Sequence, residues 1–313
     1  MDKLKPKIYV SRCIEQCSCR YNAGIVRSEI VLKIMNRCSV ITACPEVEIG
    51  LGIPRKPIHL EADNASLENI RLVRPSTGED FTEKMKEFTE NYLSGLNEID
   101  GFIFKSKSPS SGFMNVKVYP KGGTGAYQLK TGGMFGGRAA ELFPHTAMED
   151  ESRLNNAKFR DSFLKRIFIS AKFRKIKEKQ KASALMDFHA ENKLLFMSYN
   201  QRRMRAMGKI AAASHKKNFA SVLKDYENEM NALFSKIYRE SNIINVFEHA
   251  LGYFKDGLSA KEKKYFLGVV EKYRGGKTGI EVPVSLLKSY IIRFNERYLM
   301  RQSFFEPYPE ELF

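Results

Sequence analysis

The spacing of apolar positions changes once along this chain. Up to about residue 150, short apolar runs alternate with polar loops and one long amphipathic stretch. Lys7–Ser11 (KIYVS), Ser39–Ala43 (SVITA), Asn69–Arg74 (NIRLVR) and Gly101–Lys105 (GFIFK) have the length and β-branched or aromatic content of strands. Between the first two, Ile25–Arg37 carries Ile25, Ile30, Leu32 and Ile34 loosely on one helical face. Asp80–Leu96 is a strong amphipathic helix, with Phe81, Met85, Phe88, Tyr92 and Leu96 at steps of three and four. Thr77 is its expected cap. This strand–helix–strand rhythm predicts an α/β domain with a mostly parallel sheet. In such a sheet the functional crevice lies beyond the carboxyl ends of the strands. Cys13, Cys44 and the segment 106–112 each follow a predicted strand, so three distant segments should meet at one sheet edge.

Residues 121–137 (KGGTGAYQLKTGGMFGG) are glycine-rich and are expected to form a loop that closes over something. Beyond residue 150 the period becomes helical almost throughout. Helices are expected over Ala157–Lys181, Ala184–Tyr199, Lys216–Glu240, Ile243–Phe254, Ala260–Tyr273 and Val284–Tyr298. The expected organisation is therefore an α/β domain over 1–150 and an all-α helical bundle domain over 151–313. Cys38, at the end of the first helical stretch, reads as an inert core thiol. His189 and His249, among apolar neighbours, read as structural histidines.

With 313 residues, both domains can bury a core. No apolar run approaches a membrane span. Met1–Lys7 is polar and unlike a signal peptide, so a cytoplasmic location is expected. The five cysteines, Cys13, Cys17, Cys19, Cys38 and Cys44, all fall in the first 44 residues. An odd count in a cytoplasmic chain argues against a disulfide framework and for metal or redox work. The formal net charge is +16, and it is uneven. Residues 1–150 carry 20 Lys and Arg against 18 Asp and Glu; residues 151–313 carry 32 against 18. A basic second half suggests a polyanion partner. Its best candidates are Lys172, Arg174, Lys175 and Lys177 in one segment, and Arg202, Arg203, Arg205, Lys209, Lys216 and Lys217 in another. Such residues neutralise phosphates without reading sequence.

Thiolates at strand ends suit a soft metal centre. Yet Cys13, Cys17 and Cys19 are not spaced as in a zinc finger, a ferredoxin or a radical-SAM enzyme. The combination of segments says more: Val10-Ser-Arg-Cys13, Cys19-Arg-Tyr-Asn22, Cys44-Pro-Glu46 with the following Gly50-Leu-Gly-Ile-Pro-Arg55, and Lys105-Ser-Lys-Ser108-Pro-Ser-Ser111-Gly112. Together they resemble the thiouracil desulfidase (TudS-like) family. The segments Phe143–Leu154, Leu185–Met197 (with His189 and Lys193), Asn245–Phe254 and Tyr273–Gly276 resemble the helical YbgA-type domain. The fusion resembles the tRNA thiouridine desulfidases called RudS.

That resemblance implies a 4Fe–4S cluster held through three irons, the fourth iron taking the thiocarbonyl sulfur of tRNA thiouridine or of a thiolated nucleobase. Cys13 and Cys44 match two ligand positions, Glu46 the catalytic carboxylate, and Ser108 a position near the substrate. The third ligand position is Ser111, where the family pattern has cysteine. A serine hydroxyl is a harder and far weaker iron ligand than a thiolate. Three readings stand: Cys17 or Cys19 serves as third ligand, Ser111 ligates as an alkoxide, or the cluster is lost or altered. The last would leave a non-catalytic nucleic-acid-binding homologue. A desulfidase for free thiouracil is a further alternative, which leaves the basic half without a role.

Overall fold

The structure is a computed structural model and describes residues 4–123, 125–215 and 218–312. Lys216 and Lys217 of the basic segment, and Met1 to Lys3 of the N-terminal segment, lie outside the described residues. The chain divides into two compact units, Met1–Ala171 with Glu311–Phe313, and Lys172–Glu310.

In the first unit the elements follow as β1 (Lys7–Ser11), α1 (Glu29–Met35), β2 (Ser39–Ala43), α2 (Pro45–Glu48), β3 (His59–Ala62), β4 (Arg71–Arg74) and β5 (Glu79–Asp80). Then come α3 (Thr82–Ser94), β6 (Gly101–Phe104), β7 (Val116–Pro120), β8 (Lys130–Thr131), α4 (Met134–Leu142), β9 (Ala147–Asp150) and the start of α5 (Ala157–Lys179). Four strands form a wholly parallel sheet in the order β2-β1-β6-β9. Ser11 pairs with Ala43, Val10 with Ile103 and Phe104 with Asp150, so all four strands end at one level. The chain leaves β1 toward β2 on one side and returns to β6 on the other. This is a topological switch point, where α/β sheets open their crevice.

Tyr9 anchors the core over this sheet. Its ring lies within 6.1 Å of Tyr92, Phe102, Phe104 and Phe135, and its hydroxyl donates to the Ala43 carbonyl at 3.1 Å. Burying aromatics of this size dominates the energetics of a small core. On the far side of the sheet, Gly101 lets the first turns of α5 approach: a Cβ there would stand 2.6 Å from Ile167.

Five strands form a second sheet, β5-β4-β3-β7-β8, in which only β3 and β7 run parallel. The expected Asn69–Arg74 strand belongs here, not to the parallel sheet. The few residues between β3 and β4 are too few for a crossover, which forces antiparallel pairing. Leu60, Leu72, Phe81, Met85 and Val118 form its core.

Several boundaries differ from the sequence expectation. Ser28 caps α1 by accepting from the Val31 amide at 3.3 Å, so residues 25–28 are not helical. Thr77 does not cap α3. It sits in the turn between β4 and β5, its amide donating to the Arg74 carbonyl, while Asp80 accepts from the Thr82 amide at 2.8 Å. The fourth parallel strand, Ala147–Asp150, lies inside a segment first read as part of the helical domain's signature.

The second unit comprises the end of α5 and α6 (Ala182–Tyr199), α7 (Gln201–Ala212), α8 (Phe219–Leu233), α9 (Glu240–Leu251), α10 (Ala260–Arg274), α11 (Glu281–Phe294) and α12 (Arg297–Met300). Helix α7 escaped the sequence expectation, which saw there only a basic patch. It buries Met204, Met207 and Ala211 at helical spacing and is capped by Asn200, which accepts from the Arg203 amide. No helix among the described residues is long and apolar enough to cross a membrane.

At the centre of this unit, Tyr226 is fully buried against Phe173 and Phe188, and its hydroxyl meets His189 Nδ1 at 3.0 Å. Burial and, secondarily, the Lys193 charge push His189 down from 6.5 to about 4. The folded protein therefore binds fewer protons than the unfolded chain between these values. The contribution to stability is complete above pH 6.5 and is lost as pH falls toward 4, by about 1–3 kcal/mol. NMR titration of the His189 ring is expected to give a midpoint near 4, with His189→Gln flattening the acid limb of unit stability.

Candidate iron–sulfur site

All four parallel strands deliver a functional segment from their carboxyl ends. After β1, the chain turns through Arg12 and Cys13 into a loop that ends at α1. This loop is internally braced: the Val26 amide donates to Cys13 O at 2.8 Å, the Glu15 amide to Val26 O at 3.0 Å, and the Cys17 amide to Arg12 O at 3.1 Å. Glu15 holds a left-handed backbone conformation, and its carboxylate takes the Ser28 amide and the Arg27 guanidinium. After β2, Cys44 is the N-terminal flanking residue of α2, whose Pro45 occupies the first helical position. After β6 come Lys105 and the serine loop. After β9 comes Glu151.

Cys13, Cys19 and Cys44 are all buried, whereas Cys17 is half-buried. The three buried thiols act on one another. Cys13 is pushed up to about 12, first by burial, then by the charge of Cys44. Cys19 is raised, foremost by its hydrogen bond with the Cys44 side chain. Cys44 is lowered by that same hydrogen bond, with the Val47 amide and Arg55 assisting, so it is the thiol of the pair that ionises first. Its Sγ also lies 3.8 Å from the Cys19 carbonyl oxygen. Cys38 lies apart, buried and pushed up to about 12 by burial and then Asp100, as suits a core thiol.

Glu46 stands in the first turn of α2, one residue past Pro45, and is fixed at both oxygens. Arg55 donates to Oε2 through Nε at 2.8 Å and through Nη2 at 2.6 Å; Ser110 Oγ donates to Oε1 at 2.7 Å. The same guanidinium donates to the Cys19 carbonyl at 3.1 Å. Side-chain exposures of 5% for Arg55 and 12% for Glu46 make this a buried ion pair. Glu48, by contrast, pairs with Arg12 at 2.8 Å and is structural.

Ser108 touches Glu46 only through Ser110: its hydroxyl lies 3.0 Å from Ser110 Oγ and accepts from the Ser111 amide at 3.1 Å. Ser110 escaped the sequence reading, which drew Ser108 and Ser111 from the motif. Only the fold shows which hydroxyl faces the carboxylate. Ser111 itself is buried beside it. The glycine-rich segment is not one continuous loop. Its last part begins α4, and Gly133 and Gly136 lie directly on the serine loop: a Cβ at Gly136 would stand 2.4 Å from Ser111 O, and one at Gly133 2.6 Å from Pro109 O. The amides of Gly133, Met134, Phe135 and Gly136 donate to carbonyls of this loop. These glycines are absent side chains that let two backbones touch.

Glu151 also escaped the sequence reading. Its carboxylate takes Lys105 Nζ at 2.5 Å, the Ser106 amide at 2.8 Å and Ser106 Oγ at 2.7 Å. It ties the end of β9 to the end of β6, and both Lys105 and Glu151 act electrostatically on Cys13. A cavity of about 490 Å³, lined by residues 26–30, Glu151, Ser152 and Asn155, opens beside it.

No group of three His, Cys, Asp or Glu side chains among the described residues already stands in metal-binding geometry. The donor set nevertheless suits an iron–sulfur cluster chemically: three thiols in mutual electrostatic contact, with Arg55 and Lys105 to offset their charge. Cys17, half-buried, acts on Cys19 more weakly than Cys44 and Cys13 do.

Residues 8–151 match the family model described as 2-thiouracil desulfurase. Residues 193–309 match a second model, the domain of unknown function DUF1722. A Bacillus subtilis (strain 168) relative, the uncharacterized protein YbbK, is 30% identical over 137 residues, covering 40% of this chain and 91% of its own length. The chain belongs to the 2-thiouracil desulfurase family. Its DUF1722 part makes it a fusion: the uncharacterized protein YbgA of Escherichia coli (strain K12) is 28% identical over 158 residues, covering 50% of this chain and 94% of YbgA. Among solved structures, a [4Fe-4S]-dependent thiouracil desulfidase, TudS, aligns at 23% identity with a TM-score of 0.37, covering 48% of this chain and 94% of that one.

The basic candidates of this desulfurase-family chain fall out unequally. Arg174 is buried at 6% exposure, and Lys172 is half-buried, its pKa lowered by that burial. Arg174 is thus turned from solvent, whereas Lys172 keeps part of its surface exposed. Lys175 pairs with Glu178 at 2.8 Å, Lys177 with Glu227 at 3.0 Å, and Arg203 with Glu229 at 2.9 Å. Arg202, Arg205 and Lys209 are exposed and have no acidic partner among the described residues.

Breaking a buried ion pair by removing one partner costs about 3–5 kcal/mol. Arg55→Ala is therefore expected to lower unfolding stability in urea by that order. Arg55→Lys, which keeps the charge and loses the fork, should recover only part of it.

Proposed function

We propose that this protein removes sulfur from a thiolated pyrimidine, thiouridine in tRNA foremost, at a 4Fe–4S cluster held by Cys13, Cys44 and Cys19. The observation that carries this reading is the meeting of three buried thiols with an oriented carboxylate at one sheet edge, in a chain of the 2-thiouracil desulfurase family. Cys19 is favoured over Cys17 as third ligand because it is buried against Cys44. It is favoured over Ser111 because a thiolate is the softer donor. Cys17 stays outside the ligand set in this reading.

When bound, the cluster supplies an iron that accepts the thiocarbonyl sulfur as a Lewis acid. The rest falls to the chain. Glu46 Oε2 is occupied by Arg55, whereas Oε1 takes one hydrogen bond from Ser110 and keeps a lone pair free. That oxygen is the base that takes a proton from water as the water attacks the ring carbon. The carbon–sulfur bond breaks, sulfur leaves as sulfide, and the oxygen of water becomes the new carbonyl. Water is the only co-reactant, so the exchange is a hydrolysis. Ser108 holds Ser110 in place, and Lys105, paired with Glu151, offsets charge at Cys13. In the helical unit, Arg202 and Arg205 support an RNA substrate, since unpaired cations on one helix suit a phosphate backbone.

Anaerobic reconstitution of the full chain tests this reading. Cys19→Ala should lose most of its iron and sulfide, while Cys17→Ala loads as the parent does. Full loading of Cys19→Ala would remove Cys19 from the ligand set. Glu46→Gln should retain the cluster spectrum and release sulfide from thiouridine-containing tRNA about 10²–10⁴-fold more slowly. Sulfide release from free 2-thiouracil but not from the tRNA would replace the RNA substrate by the free base.

A further inference from the structure

His189 and His249, which the sequence suggests are structural, line a cavity of about 680 Å³ in the helical unit. Its wall is contributed by α6, α7, α9 and α12. The floor is apolar and polarizable: Met186, Met197 and Met204, with alanines of α6 and α7. The polar side of the lining holds Lys193, Arg205 and Lys209 beside the two histidines, and no carboxylate. None of these three cations has an acidic partner among the described residues. Arg205 and Lys209 are four apart on α7, hence on one face. Lys193 stands close enough to both rings that its charge helps drive the proton from each. Tyr298 adds a ring and a buried hydroxyl, with Tyr253 stacked beside it.

The cavity is built rather than incidental. Gly208 lies inside α7, where glycine costs about 1 kcal/mol relative to alanine. A Cβ there would stand 2.9 Å from His189 Nε2, so the glycine keeps room for that ring. His189 is anchored on its other nitrogen by Tyr226.

We infer that this cavity binds a nucleotide, its base on the methionine floor and its phosphate on Lys193, Arg205 and Lys209. The volume falls in the range of small-molecule sites and exceeds what a bare anion needs. Thioether sulfurs favour contact with flat rings. Lys193, Arg205 and Lys209 in the lining offer a phosphate its counter-charge. Such a site takes a free mononucleotide or an unpaired nucleotide of an RNA; a paired one cannot enter. The inference adds a nucleotide-level contact to the RNA reading above, but it stands on the helical unit alone.

Calorimetric titration of the full chain, without cluster reconstitution, separates this site from the desulfidation chemistry. Uridine 5′-monophosphate should bind, with uridine and inorganic phosphate each at least tenfold weaker. Lys193→Gln and Arg205→Gln should each weaken binding about tenfold or more; Arg205 is exposed, so that variant keeps its fold. Lys264→Gln, on the exposed face of another helix, should not change it. A hairpin RNA with one bulged uridine should displace the mononucleotide, and the same hairpin fully paired should not. No binding of the mononucleotide at millimolar concentration would overturn the inference. So would equal binding of inorganic phosphate, indifference to both variants, or equal competition by the paired hairpin.

Discussion

One buried guanidinium organises the first unit's sheet edge. Arg55 holds the Glu46 carboxylate and the Cys19 carbonyl at once, so the acid–base group and the cysteine loop cannot move independently. Cys19 lies in irregular backbone, where position is otherwise weakly defined, whereas Glu46 stands on the short helix α2. The parallel register beneath supplies the frame. Four strands ending at one level present Cys13, Cys44, the serine loop and Glu151 to the same crevice. Neither device suffices alone. The sheet brings the segments together, and the charged hydrogen bonds decide which atoms face one another.

The exchange of cysteine for Ser111 acquires a physical context from this arrangement. A buried serine contributes a hard, weak donor. The same crevice holds a further thiol, Cys19, already hydrogen-bonded to Cys44. Soft-donor chemistry can thus persist with one ligand drawn from a different loop. The serine loop is meanwhile held by backbone contact with α4, which Gly133 and Gly136 make possible. Its hydroxyls are thereby committed to Glu46 and to one another.

The helical unit carries its charge differently from the expectation of a uniform basic strip. The end of α5 turns Arg174 inward and half-buries Lys172. Acids on adjacent turns and helices take Lys175, Lys177 and Arg203. Of the candidates the sequence singled out, Arg202, Arg205 and Lys209 keep no acidic partner among the described residues; all three lie on α7, and Arg205 and Lys209 line a cavity whose lining has no carboxylate.

Local pattern in the sequence was enough for the strands β1, β2 and β6, for α3, for the helical second half and for the segments that bear Cys13, Cys44 and Glu46. Each of these depends on periodicity or on a motif a few residues long. The second sheet and the fourth parallel strand were not legible, because short strands carry little periodic signal; α7 does carry one, in Met204, Met207 and Ala211, beneath the charges that mark it as a basic patch. The partnership of Ser110 with Glu46, the tie from Glu151 to Lys105, the pairing of Cys19 with Cys44 and the inward turn of Arg174 were decided by the tertiary structure alone. Each joins residues distant in sequence or depends on which face of a helix is covered. Such choices are made by packing and burial, which no local pattern encodes.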